Sequence, residues 1–380
     1  MLEVSPEPDS GSRFHAIWLR DNCRCERCGE PSIGRRTLRL SALDLDIRIE
    51  KALVETDSAG NHITLNWSDG HEGRFLLDWL MANRYDDESR ACRRFRPVLW
   101  DADFIAEPPT FEFNSVQEDE NKFLDLLTTV RDRGLVFLSG APATATTLAP
   151  FAEKIGYLQE NNFGRIQDLV VDHGKRSIAN DVQELKPHTD EPYRASPPGI
   201  ILFLCIETDI QGGGSSTFLD AFEAAETLRR QDPEGFAALT RNRQGFRRFF
   251  DDDVDLVSEF PLISLDPWGD ICGVRVNDRV HAPTCIESVE VPVYYRGLQQ
   301  FLRLVEDESR MLRKTLQPGD IAIFDNHRIL HGRTNLSIRG RRWLQWVQLE
   351  RGDFHSTMRI LADRLGRPRD ALPLLRGAYS

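Results

Sequence analysis

Before residue 107 the apolar positions are sparse and largely alternate with polar ones. Leu38-Arg39-Leu40 and Leu43-Asp44-Leu45-Asp46-Ile47-Arg48-Ile49 read as half-buried strands. His62-Ile63-Thr64-Leu65-Asn66-Trp67 reads as a further strand, closed by the turn Ser68-Asp69-Gly70. Leu76, Trp79 and Leu80 fall at helical spacing within Phe75–Tyr85. Pro97 and the segment Glu107-Pro108-Pro109-Thr110 break the pattern and mark a linker. The pattern predicts a small α+β domain over residues 1–106 and a larger domain over 107–380.

The larger part has a different texture. Glu118–Arg133 is amphipathic, with Phe123, Leu126, Leu127 and Val130 on one face, and stops at Gly134. Leu135–Leu138 is a short buried strand, and Leu148–Leu158, Ala221–Arg230 and Val293–Glu308 read as helices. Ile200–Ile206 is strongly apolar, Ile321–Phe324 follows the turn Pro318-Gly319-Asp320, and Trp343–Leu349 is the last good strand. Short strands with a few covering helices, and no glycine-rich nucleotide loop, predict a mostly β chain with α: a sandwich or jelly roll with helical support. No internal repeat or low-complexity segment appears.

Composition narrows the function classes. At 380 residues the chain can bury a full core. No apolar run approaches the roughly 18 residues of a membrane helix, and Met1–Pro8 is acidic without an apolar stretch, so neither a membrane anchor nor a signal peptide is expected. A net charge of −12 argues against a nucleic-acid partner. Seven cysteines in a chain of this size fit a reducing compartment, with metal-bound or structural thiols in place of a disulfide framework. The expectation is a cytoplasmic protein.

The chemistry gathers at His188-Thr189-Asp190 and, far downstream, in Asp325-Asn326-His327-Arg328-Ile329-Leu330-His331-Gly332-Arg333. Two imidazoles and one carboxylate hold one face of Fe(II) and leave the other positions open for cosubstrate and O₂. In extended backbone His188 and Asp190 point to the same side while Thr189 turns away. His331 follows an apolar strand and is the preferred third ligand, with Gly332 leaving room at the metal; His327 is the competing choice. The bland alternative is a polar loop whose His and Asp are merely surface residues. A dicarboxylate that chelates iron at one end needs its other end fixed, which a guanidinium does bidentately. Arg342, opening the last strand, is assigned that task, with Arg341 in reserve; otherwise the two are a surface basic pair.

Cys23-Arg24-Cys25-Glu26-Arg27-Cys28 places three thiols within six residues. Thiolates at this density favour tetrahedral zinc, and His71 can close the site, leaving no open position and hence a structural role. Unligated cysteines in a reducing cell are the alternative.

Trp18–Cys28, with Trp67-Ser68-Asp69-Gly70-His71, resembles the zinc-binding N-terminal domain of the gamma-butyrobetaine hydroxylase and trimethyllysine hydroxylase family. The remainder resembles the taurine-dioxygenase-like catalytic domain of that family, through His188-Thr189-Asp190, Pro197-Pro198-Gly199, Gly213-Gly214-Ser215-Ser216 leading to Asp220, Pro318-Gly319-Asp320, Phe324-Asp325-Asn326 and His331-Gly332-Arg333. It implies a double-stranded β-helix core, Fe(II), 2-oxoglutarate as cosubstrate and often a homodimer. It also implies Ser216 as a hydroxyl near 2-oxoglutarate, Arg342 as its carboxylate ligand, and Asn277 as a contact to the substrate carboxylate.

Departures from the family are informative. Its members that take a trimethylammonium substrate hold it in an aromatic cage; those positions fall at Phe163, Gln167, Asn180 and Gln348, of which one is aromatic. Glu191 either receives an ammonium or guanidinium, or faces solvent, and Tyr193 is a pocket wall. The expected activity is therefore 2-oxoglutarate-dependent hydroxylation of a small polar substrate, an amino acid or other small carboxylate. Asp190 makes halogenation unexpected, because the halogenating relatives lack the ligand carboxylate. Three alternatives stay open. One is a betaine hydroxylase whose cage has moved to Trp343, Trp346 and Tyr193. The others are a desaturase or cyclase, and a catalytically silent assembly protein.

Overall fold

The computed structural model describes residues 1–4, 11–30, 34–58, 60–171, 184–208, 214–250, 253–335 and 342–372. Two compact units meet between Arg94 and Phe95, ahead of the boundary expected at 106. The physical reason is that Trp100 and Phe104 share a core with Phe137, Phe218 and Phe324, and the Trp100 N–H donates to Asp220 at 3.1 Å. The expected linker enters the second unit's sheet, since Thr110–Glu112 runs parallel to Leu135–Ser139.

In the first unit an antiparallel sheet of Ile49–Asp57, Gly60–Trp67 and Glu72–Leu76 leads into the helix Leu77–Ala82. Its core gathers Phe14, Leu19, Leu65, Trp67 and Leu80. The alternating run from Leu43 is not a strand before Ile49. Asp44 Oδ1 accepts the Asp46 N–H at 2.9 Å, a side-chain turn that competes with extended backbone, and Leu45 is left exposed. Leu38–Leu40 is likewise irregular, running into a 3₁₀ turn at Leu40–Ala42.

The second unit is a double-stranded β-helix. One sheet orders Gln167–Val171, Arg342–Leu349, Ile200–Glu207, Ile321–Asp325, Leu135–Ser139 and Thr110–Glu112. The other orders Leu185–His188, Ile329–Arg333, Ser216–Asp220 and Leu312–Lys314. Alternation along each strand sorts the side chains. Phe137, Phe203, Phe218 and Phe324 meet in the core between the sheets. Val136, Ile200, Leu202, Leu204 and Val347 point the other way, under the helices Glu120–Arg133 and Arg351–Arg364. The helices Ala221–Gln231, Pro233–Arg241 and Val291–Val305 cover the smaller sheet through Phe222, Leu239, Phe301 and Leu330.

Two helix expectations change in detail. Glu118–Arg133 is split by Asp119, whose carboxylate caps the second helix through the Asn121 N–H at 2.8 Å. The helix at Leu148 ends at Ala152. Lys154 and Ile155 donate back three residues, to Phe151 and Ala152, a tightening that closes the helix before Gly156.

Candidate metal centre and substrate site

Antiparallel pairing places His188 directly across from His331, with a register slip between Leu185 and His188. Such a bulge re-aims the side chain at a strand's end. Asp190 follows in the bend beyond the strand. Its Oδ1 lies 3.4 Å from His188 Nε2 and its Oδ2 lies 3.5 Å from His331 Nε2. These ligand atoms all fall within 4.8 Å of one another. Thr189 turns away, its N–H donating to Val276 O at 2.7 Å. His188 Nδ1 lies 2.9 Å from Lys186 O; a carbonyl can only accept, so Nδ1 carries the proton and Nε2 keeps its lone pair for a metal.

Electrostatics prepare the same state. Burial opposes charge on Asp190, but His331, then His188, overcome it and hold the carboxyl well below the usual range. Burial, then His331, lowers His188 below the ordinary histidine value. Two imidazoles beside a carboxylate form a set suited to a divalent cation. Phe203 and Phe324 pack against His331 at 5.5 and 4.9 Å between ring centroids and wall that side with apolar surface.

His327 does not join the set. Its ring is buried near Arg351 and Arg275 and bonds the backbone of Pro197 and Pro198. Gly332 also has a different reason from the one expected. A Cβ there would meet Leu185 O at 2.4 Å and Thr217 Oγ1 at 2.8 Å, so glycine serves the close approach of strands and not room at a metal.

Arg342 opens its strand on the face that carries Leu344 and Trp346 into the core between the sheets. Its Nη1 is buried without a partner among the described residues. Burial, then repulsion from Arg333, brings the guanidinium down to about 10, still charged at neutral pH. Ser216 sits opposite Arg333 in the strand register. An orphaned donor and two neighbouring cations fit the far carboxylate of a dicarboxylic acid. Arg341 and Asn180 lie outside the described residues.

Glu191 is neither solvent-facing nor open to an incoming cation. It is buried, and its Oε1 accepts from Gln348 Nε2 at 2.8 Å and Asn161 Nδ2 at 3.1 Å. Arg194 pairs with its Oε2. Asn161 also donates to Gln348 Oε1 at 2.9 Å, closing a network among side chains. Glu191 has φ +52°, the sole non-glycine with positive φ among the described residues. Gln167 and Gln348 are both buried, so two of the former cage positions present amides. Phe163 is 43% exposed, on a turn bridged between Asn161 and Gly164. Tyr193 is buried in the core that includes Leu219 and Val276. Asn277 is buried, with its Oδ1 unpartnered among the described residues and its Nδ2 directed at Thr189 O, 3.5 Å away. Trp343 donates to Asp168 at 2.7 Å, which engages one ring of the relocated cage elsewhere.

In the first unit, Cys23, Cys25 and Cys28 converge on His71 Nε2 at 3.3, 3.5 and 3.5 Å. Tetrahedral zinc with ordinary Zn–S and Zn–N bonds sets sulfur and nitrogen about 3.6 Å apart, so the residues fit that ion. Arg20 supports the cluster, donating to Cys28 Sγ at 3.3 Å and to Asp69 at 2.8 Å. Asp69 in turn accepts the His71 N–H at 2.9 Å. Gly73 lets its strand approach, since a Cβ would lie 2.6 Å from Cys23 Sγ.

Some contributors escaped the sequence reading. Asn326 accepts the Asp190 N–H at 2.8 Å and donates to Asp190 O at 3.1 Å and Pro198 O at 3.0 Å, fixing the loop that carries the carboxylate. Asp220 receives a two-point pair from Arg328 at 2.7 and 3.0 Å. Both lie in motifs already singled out, whose spacing gave no hint of these partners. Asn161 and Arg194 carried no signal at all.

Comparison with known proteins agrees with this geometry. Residues 95–348 match the family model described as taurine catabolism dioxygenase TauD, TfdA family. Residues 1–81 match that described as gamma-butyrobetaine hydroxylase-like, N-terminal. A gamma-butyrobetaine dioxygenase of Pseudomonas sp. (strain AK-1) is 30% identical, over 92% of this chain and 91% of its own. A trimethyllysine dioxygenase of Meyerozyma guilliermondii is 28% identical over 94% and 93%. The gamma-butyrobetaine dioxygenase of Homo sapiens is 27% identical over 88% and 86%.

Proposed function

This chain belongs to the taurine catabolism dioxygenase TauD, TfdA family, and from that premise we propose that it hydroxylates a small polar substrate other than a trimethylammonium compound. It is an Fe(II)- and 2-oxoglutarate-dependent dioxygenase. His188, Asp190 and His331 hold the iron, and Cys23, Cys25, Cys28 and His71 hold a structural zinc. When bound, iron with 2-oxoglutarate and O₂ supplies the oxidising power, releasing succinate and CO₂. The protein's own residues bind and orient. Burial holds His188 below the ordinary histidine value, and Asp190 stays charged, so both are ready to take a metal. Arg342 fixes the far carboxylate of 2-oxoglutarate, and Ser216, opposite Arg333 in the other sheet, offers a hydroxyl to it. Phe203 and Phe324 keep water from the His331 side.

The observation that carries the reading is the meeting of His188 and His331 on adjacent strands with Asp190 in the bend that follows. The substrate preference rests on the Glu191–Gln348–Asn161–Arg194 network. A quaternary ammonium is stabilised by ring faces; this wall offers amides and a carboxylate already neutralised by arginine. The anaerobic test is the visible charge-transfer band of Fe(II) with 2-oxoglutarate, formed by the wild type and lost in Asp190→Ala. Succinate release stimulated by gamma-butyrobetaine would overturn the substrate preference while leaving the class intact.

The same reading extends to a homodimer in the cytoplasm. No disulfide links any of the seven cysteines, as a reducing compartment favours, and the dimer follows from the family resemblance. Among the described residues no helix is long and apolar enough to cross a membrane.

A further inference from the structure

We propose that Arg279 binds a carboxylate of the organic substrate, so that the site takes a small carboxylic acid carrying an N–H donor, an α-amino acid above all. The inference rests on the dioxygenase reading and deepens it.

Arg279 is tied to the iron-binding loop through short, local bonds. Thr189 lies between two of the metal-binding residues and exchanges hydrogen bonds with Val276: its N–H donates to Val276 O at 2.7 Å, and the Val276 N–H donates to Thr189 Oγ1 at 3.1 Å. Asn277 follows and directs its amide at Thr189 O. The Val280 N–H then donates to Asn277 O at 3.2 Å, closing the 3₁₀ turn Asp278–Val280 that presents Arg279.

In that position Arg279 makes no ion pair or hydrogen bond among the described residues, and its side chain is reached by solvent. Burial and Arg248 oppose its charge, while Asp190, Asp278 and Tyr193 favour it. Asp190 is committed to the metal, and Asp278 comes within no ion-pair distance. A guanidinium on a turn bonded to the metal-binding loop, with Arg248 also bearing on it, makes a positive field that draws an anion, and its planar fork matches a carboxylate. Arg342 answers for 2-oxoglutarate from the last strand of the larger sheet, which leaves Arg279 for the second acid. Asn277, two residues earlier, keeps a buried Oδ1 without a donor; the amine of an amino acid supplies one.

The test uses the full chain loaded anaerobically with zinc, Fe(II) and 2-oxoglutarate, read by the charge-transfer band. The probes are the protein amino acids and their carboxamides, which differ only in the anion. At least one acid is expected to shift the wild-type band, with its amide at least tenfold weaker. Arg279→Gln should raise the half-saturating concentration of that acid at least tenfold, and Arg279→Lys should restore part of the loss. Three results overturn the assignment: no acid shifting the wild-type band, amides matching acids, or Arg279→Gln matching wild type. In each of these the band itself forms. A wild type that forms no band overturns the dioxygenase reading instead, so the two failures are distinct.

Discussion

His188 and His331 face each other as a cross-strand pair, their ring centroids 4.4 Å apart, with Asp190 reaching both Nε2 atoms. Antiparallel pairing thus brings together ligands separated by about half of the catalytic unit's sequence. Asp190→Ala should lower Fe(II) affinity by more than about 100-fold, because even the groups that orient metal ligands cost roughly 10–100-fold when removed. Asn326→Leu, which strips the Asp190 backbone of its two amide bonds, should fall within that smaller range. Iron content after gel filtration, with thermal melting as a check on folding, measures both. Wild-type iron retention in Asp190→Ala would exclude the carboxylate from the site.

Arg342 should govern cosubstrate affinity and little else. Its buried Nη1 lacks a partner among the described residues and its charge is retained at neutral pH. Arg342→Gln is expected to raise the KM for 2-oxoglutarate by roughly 10–100-fold, as charge-assisted bonds are worth about 1.5–3 kcal/mol. Arg342→Lys should recover only part of this, since a point charge cannot reproduce the two-pronged geometry. Steady-state succinate formation at varied 2-oxoglutarate decides it; an unchanged KM in Arg342→Gln moves the role to another cation, with Arg333 the first to try.

The same contrast explains what could be read from the chain. His188 with Asp190, and the cysteine cluster, were legible because metal ligation demands particular residue types at short spacings; the distant His331 joined them through the family resemblance. Ile200–Glu207 and Ile321–Asp325 were legible because a strand buried on both faces is apolar throughout. Leu43–Ile49 alternates as a strand does, yet Asp44 turns the chain; periodicity cannot see that competition. Ile49–Asp57 is a largely exposed strand, so burial wrote no pattern into it. The Glu191 network joins Asn161, Arg194 and Gln348, residues with no common motif, and only the fold shows that Glu191 is enclosed.

Zinc should be needed for the first unit to stay folded. Its core places Cys23 and Cys28 among Phe14, Leu65 and Trp67, and burial raises the Cys23 thiol to about 12 when no metal is bound. Three cysteines crowded in such a core are stable as ligands and costly as unbound thiolates. Cys28→Ser, or removal of zinc by a strong chelator, is expected to unfold residues 1–94 while the triad unit keeps its hydrogen-exchange protection. A single equivalent of zinc per chain by elemental analysis completes the measurement, and full protection of the first unit after chelation would count against a structural metal.

His355 predicts an acid-sensitive element away from both metal sites. Burial, then Arg351, Arg359 and Arg131, lowers its imidazole to about 3, whereas in the unfolded chain it titrates near about 6.5. The folded value lies below the unfolded one, so protons bind the unfolded state more readily. The contribution is complete above the unfolded value and is lost as pH falls from about 6.5 towards 3, amounting to roughly 4–5 kcal/mol across that window. His355→Phe cannot take up a proton and should show a flatter decline in denaturant midpoint between those limits. Parallel acid limbs for the two proteins would rule out His355 as a source of the loss.

Glu191 combines a left-handed backbone with a buried carboxylate, and the second feature explains why the first persists. A non-glycine residue at φ +52° costs on the order of 1–2 kcal/mol, and here the conformation is held by bonds from Gln348, Asn161 and Arg194. Gln348→Leu takes away one donor to Oε1 and one acceptor for Asn161, so it should destabilise the fold by about 1–3 kcal/mol. Glu191→Gly relieves the backbone but leaves Gln348 and Asn161 without their shared acceptor, so it should also be destabilising despite the gain in φ. Gln348→Tyr puts a ring back at a former cage position, yet Arg194 still neutralises Glu191 and the neighbouring position is still Gln167. That variant should therefore gain no stimulation of succinate release by gamma-butyrobetaine. Urea titration separates the stability effects, and the succinate assay reads the specificity. Stimulation in Gln348→Tyr would mean that one aromatic side chain is what keeps this site from a quaternary ammonium.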